Sequence, residues 1–140
     1  MKRIVFAIAA LLALATVRAD AYVVPSVTRT CSGDIEAFAL VKAATTAGRV
    51  TVFLHTDSVV LVTGVALTAC ENGTQTQVME VQGVMTQVVS DGTTTIHSGD
   101  PVRPSDTVDG RVMKGVADSN VVCSAMQNAS STPGTRFNCL

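Results

Sequence analysis

The 140-residue sequence has no tryptophan, a single tyrosine and two histidines, and only 15% of its side chains are charged, against roughly 25% in soluble domains. Basic side chains number 10 and acidic ones 11, with no basic cluster. That removes the electrostatic footprint nucleic acids or anionic membranes require. No C-x2-C or H-x3-H spacing groups ligands for zinc, and no G-x-S-x-G elbow presents a serine nucleophile. No apolar run reaches the ~20 residues that cross a bilayer. These absences point to no metal, no cofactor and no enzymatic activity.

What is present begins at the N-terminus. Met1, Lys2 and Arg3 make a positive start, residues 4–15 are unbroken apolar, and Ala19-Asp20-Ala21 is a small-x-small cleavage signal. This pattern assigns residues 1–21 to a secretory signal peptide. Residues 22–140 are then a single mature domain without a membrane span, carrying 7 basic and 10 acidic side chains. The expected location is secreted or extracellular, which in a bacterium means the periplasm or cell surface.

The mature chain holds 21 Val, 17 Thr and 2 Ile in 119 residues. Such β-branched side chains lose χ1 freedom in helices and pack well on a pleated surface. The expected fold class is mostly β, an antiparallel meander or sandwich. The alternative is α+β, with one short helix packed on an antiparallel sheet. That helix would occupy residues 32–47, where Ser32 or Asp34 can cap, Ile35, Phe38, Ala39 and Lys42 fall on one face, and Gly48 stops it. Strands are expected at 22–30, 50–55, 58–69, 75–89, 93–97, 111–116 and 120–126, with the Pro-, Gly- and Asp-rich 98–110 as a loop. Asn72-Gly73 predicts a type I′ hairpin, which would oppose Ala66 to Met79, Gly64 to Val81, Val62 to Gly83 and Val60 to Met85.

All four cysteines, Cys31, Cys70, Cys123 and Cys139, follow the cleavage point. An even number in an oxidising compartment predicts two disulfides. Three pairings exist, of which Cys31–Cys70 with Cys123–Cys139 is favoured because the second closes a short loop at the C-terminus. Sequons at Asn72-Gly73-Thr74 and Asn128-Ala129-Ser130 are glycosylation candidates in a eukaryotic or viral source.

Groups that could carry chemistry read as structural. His97, Ser98 and Asp100 are sequence neighbours, and neighbours on a strand face opposite ways. His55 stands alone on a predicted strand. Asp106 and Asp109 miss the spacing of a calcium loop. Met79 and Met85 read as core, and Met113 and Met126 make no soft-metal set with them.

Two families resemble parts of this pattern. A secreted chain of this length with two disulfides, a C-terminal Cys and a helix before a meander is similar to the type 2 cystatins. Their Q-x-V-x-G wedge has echoes in residues 60–64 (VLVTG), without the Gln, and 87–92 (QVVSDG), one residue longer; the cystatin Cys spacing and Pro-Trp turn are absent. That resemblance implies inhibition of cysteine proteases by an inserted loop. The Thr/Val/Ala-rich composition and the Cys31-to-Cys70 separation also resemble bacterial fimbrial subunits, implying a structural or adhesin role, although those carry a Tyr near the end where this chain has Phe137-Asn138-Cys139-Leu140. The reading that absorbs most of the sequence is a secreted module that binds an extracellular protein partner through exposed loops or a sheet face.

Overall fold

The β-branched bias is realised almost completely: strands and their connections make up the chain, with one 3-10 turn as the sole helical element among the described residues. The computed structural model describes residues 25–79, 83–116 and 120–140. The expected signal peptide and the predicted pairing of Val81 lie outside them. Five strands, β1 (Ser26–Cys31), β2 (Leu40–Ala43), β3 (Arg49–Val52), β4 (Val62–Ala66) and β5 (Gln75–Met79), close a small barrel in the order β1-β3-β2-β4-β5. β1 and β3 run parallel and every other neighbour is antiparallel. Placing β3 between β1 and β2 breaks the expected meander order.

The remaining strands are β6 (Thr86–Val89), β7 (Pro101–Pro104), β8 (Val112–Lys114), β9 (Cys123–Ser124) and β10 (Arg136–Cys139). They repeat the first five, element for element. β6 meets β8 in parallel through Ser90 and Val112, β8 pairs with β7, β7 with β9, and β10 with β6, while Ala125 bridges Cys139 to join β9 and β10. Loop hydrogen bonds recur as well. The Cys31 N–H donates to Thr74 O and Gly73 N–H to Cys31 O, as Ser90 N–H donates to Thr135 O and Gly134 N–H to Ser90 O. Ile35 and Cys70 exchange both backbone bonds, and so do Ile96 and Ala129. Left-handed backbone falls at Gly33, Phe38, Gly48 and Gly73 and again at Gly92, Gly99, Gly110 and Gly134. The described residues thus hold a closed barrel followed by a second, looser one of the same strand order, whose two-stranded and three-stranded sheets are joined by the isolated bridges Ser90–Val112 and Ala125–Cys139.

Their interiors correspond. Ile35, Val41, Val50, Ala66, Cys70 and Val78 fill the first; Ile96, Val102, Val112, Ala125, Ala129 and Cys139 fill the same positions in the second. The units are seated on one another. Because side chains alternate along a strand and Val41 and Ala66 face inward, their neighbours Leu40 and Val65 face out, and with Phe53 they join one buried cluster with Val88, Val122 and Phe137 of the second barrel. Gly110 threads the seam: its N–H donates to Phe53 O and its carbonyl accepts from Leu40 N–H, both at 2.7 Å. Arg111 pairs with Glu36 at 3.2 Å, and the Arg136 guanidinium lies 4.8 Å from the Phe38 ring centre. No disulfide crosses the seam: Cys31–Cys70 lies within the first unit and Cys123–Cys139 within the second.

Several sequence expectations are corrected. Residues 32–47 hold no helix. Left-handed residues at Gly33 and Phe38 interrupt any helical run; the Ile35–Cys70 bridge beside the disulfide fixes the middle of the segment, and a turn at Ala37-Phe38, with Ala39 N–H donating to Glu36 O, leads into β2. The helical spacing of Ile35 and Ala39 instead fills a barrel interior. The hairpin register is displaced by one, with Val65 opposite Met79 and Ala66 opposite Val78. At the turn Glu71 O accepts from Thr74 N–H, but only Gly73 of the central pair has positive φ, so this is not type I′. Predicted strand 58–69 starts as a 3-10 turn over Val59–Leu61, and 75–89 comprises β5 and β6. The loop composition of 98–110 conceals β7. Met85 is exposed, not core.

Candidate interaction surface

Among the described residues the most exposed apolar feature is the 3-10 turn Val59–Leu61, which buries none of its residues. Val60 is 82% exposed and Leu61 48%, and Leu54 stands beside them. Together with β2 and β3 they border a groove of about 560 Å³ whose lining includes Lys42, Thr51 and Thr63. The preceding loop is built around Asp57, which accepts the Leu54 N–H at 2.7 Å while its own N–H donates to Leu54 O. Lys42 Nζ reaches the same carboxylate at 2.6 Å, with both side chains mostly shielded. The Lys42 hydrogen bond holds the Asp57 carboxyl below its ordinary range, against the opposing pull of burial. A fixed ion pair thus pins the base of a loop whose tip presents valine and leucine to solvent.

A second polar cluster lies at the seam. His55 N–H and His55 Nδ1 both approach Asp109 Oδ1, at 2.8 and 2.9 Å, and lower the Asp109 pKa, the backbone donor first. Asp106 is held low by a two-pronged bond from Arg103. Both aspartates therefore already have counter-charges or donors. Asp91 is buried and fully occupied: it accepts from Thr93 and from the Ser105 hydroxyl at 2.6 Å. No group of three or more metal-ligating side chains occurs among the described residues.

The four cysteines are joined as Cys31–Cys70 and Cys123–Cys139. Asn72 lies exposed at the tip of its turn, with Oδ1 accepting from Gly33 N–H, and exposed Asn128 accepts from Ser98 N–H. His97 and Asp100 are tied through the His97 backbone N–H at 2.8 Å, while Lys114 pairs with Asp100 at 2.9 Å, which leaves Ser98 outside the arrangement. Of the wedge echoes, residues 60–64 run from the 3-10 turn into β4, and Val88 to Asp91 in residues 87–92 are buried. Val59 to Val62 have strand-forming side chains that conceal the exposed tip in the sequence, and the acid-serine pair Asp57-Ser58 before it is the local signal of a turn.

No protein-family model matches the sequence, and no curated protein matches it. Four chains of solved structures match it in fold. One is described as "The crystal structure of head fiber gp8.5 N base in bacteriophage phi29", with a TM-score of 0.62 and 19% identity, covering 82% of this chain and 91% of that one. The likeness is one of fold. It covers more of the chain than either barrel, so it extends over both.

Proposed function

We propose that this protein is a secreted module that binds a protein partner outside the cell, with the Val59–Leu61 tip as part of its contact surface. The observation that carries the reading is the exposed Val60–Leu61 pair on a loop braced by Lys42–Asp57. Apolar side chains held out on a pinned scaffold suit a protein interface, because little ordering cost remains at binding. Two disulfides and the lack of a long apolar helix among the described residues are compatible with an extracellular setting. The polar clusters have internal partners, which supports binding over catalysis.

A structural role in a surface assembly is the second reading, favoured by the fold likeness to a phage head fibre base. The test for both is capture with the immobilised mature protein, comparing the unaltered chain with a Val60→Asp, Leu61→Asp double variant of unchanged circular dichroism. The expected result is a partner retained by the first and lost from the second. Equal capture by both proteins would remove the tip from the contact surface.

A further inference from the structure

The tandem arrangement supplies a template for one more contact. The mouth of the second barrel is filled by the first unit: Leu40 and Phe53 pack against Val88 and Val122, and Glu36 pairs with Arg111. The corresponding mouth of the first barrel is open, a cavity of about 450 Å³ bordered by Val27, Arg29, Gly48, Arg49 and Thr63. Equivalent positions differ sharply in exposure. Val27 is 51% exposed where Thr86 is 3%, and Arg29, Gly48 and Thr63 are exposed where Val88, Gly110 and Val122 are buried. Arg49 occupies the place of Arg111, yet among the described residues neither Arg29 nor Arg49 has a carboxylate partner.

We propose that this mouth docks a partner protein segment in which a carboxylate stands next to a large apolar side chain, the chemistry that Glu36, Phe38 and Leu40 bring to the second barrel. The inference deepens the binding reading above and rests on it. Charge complementarity selects the carboxylate, since two guanidiniums without a carboxylate partner among the described residues flank an apolar floor of Val50 and Val78. The second unit of another copy does not fit in the manner of the seam. The positions of Phe38, Leu40, Phe53 and Val65 are taken in the second unit by Gly99, Pro101, Gly115 and Ser124, which lack apolar bulk, and Pro101 has no N–H to repeat the Leu40 bond to Gly110.

The test uses the oxidised mature protein, labelled with 15N and titrated with a peptide of residues 34–41 (DIEAFALV) as probe. Amide shifts are expected at Val27, Arg29, Gly48, Val50 and Thr63. Arg49→Glu should weaken the effect by about tenfold, as should a Glu36→Lys change in the peptide. Arg29→Glu, at an exposed position, serves if Arg49→Glu does not fold. Shifts confined to Leu54, Val60 and Leu61 would overturn the mouth as the site while leaving the binding reading standing. Shifts at Val88 and Arg111, meaning displacement of the seam, or no shifts at the solubility limit of the peptide, would also overturn it. Dimerisation in sedimentation velocity that Arg49→Glu abolishes would make a second copy the occupant and overturn the stated partner. Loss of capture in the Val60→Asp, Leu61→Asp variant tests the broader reading separately.

Discussion

Gly110 shows how a single residue joins the two units. Its φ of +71° is a left-handed value that side chains with a Cβ rarely adopt, and an added Cβ would lie 2.7 Å from Val52 Cγ2 and 3.0 Å from Ala39 Cβ. Both neighbours belong to the first barrel and neither is the free end of a long side chain. Gly110→Ala should therefore cost about 2–4 kcal/mol, combining backbone strain with overpacking, read as a lower urea midpoint at unchanged slope. The ion pairs give a pH signature at the same scale. Asp57, Asp106, Asp109 and Asp100 all have carboxyls held below the ordinary aspartate value, by Lys42, Arg103, the His55 amide and the His97 amide respectively. In the unfolded chain these groups bind protons first as pH falls. Their stabilisation is present above about pH 4 and is lost as pH falls through the lower folded-state values. A thermal-melt series should show a falling midpoint below pH 4, less steep in Asp57→Asn, and no such loss between pH 5 and 7 from these groups.

At the scale of elements, composition made the β class legible, and an even cysteine count with an expected oxidising compartment made two disulfides legible. Local pattern failed where long-range pairing decides. Ile35, Phe38 and Ala39 have helical spacing, yet Ile35 is bonded to Cys70 and Phe38 takes φ +65°, so tertiary contacts override the period. The hairpin slipped by one because Asn72 does not adopt the left-handed backbone a type I′ turn requires. The duplication was hidden for a different reason. Recognisable matches are few, among them Gly48-Arg49-Val50 with Gly110-Arg111-Val112 and Gly73-Thr74 with Gly134-Thr135, and their separation drifts from 59 at Gly33 and Gly92 to 62 at Gly48 and Gly110. Loop lengths differ between the units, so no fixed period exists to be found. The exposed tip was illegible because Val59 to Val62 have strand-forming side chains, and the turn depends on Asp57 capturing Leu54 and Lys42.

For the whole molecule, the shared cluster at the seam couples two barrels that each have their own interior. Phe53 is central to that coupling: it is buried, packs in the common cluster, and accepts the Gly110 N–H. Phe53→Ala should cost about 3–5 kcal/mol and separate the units energetically. The unaltered protein is expected to unfold in one calorimetric transition, and the variant in two, with the second barrel melting first because its mouth loses its plug. A single transition at a merely lower temperature in the variant would mean the barrels are coupled by something other than this seam.

The placement of the disulfides also sets how the chain behaves under tension. Cys31–Cys70 removes a 39-residue loop from any end-to-end path and Cys123–Cys139 a 16-residue one. A pull applied between residues 25 and 140 can lengthen mainly the stretch between Cys70 and Cys123, about 180 Å of contour at full extension. Val88, Gly110 and Val122 of the seam lie within that stretch and their partners Leu40, Phe53 and Val65 within the first disulfide loop, so the stretch cannot lengthen fully until the seam ruptures. In single-molecule stretching the oxidised protein should give one extension of about that length, and added reductant should lengthen it. A chain cross-linked this way yields by a fixed distance and then holds.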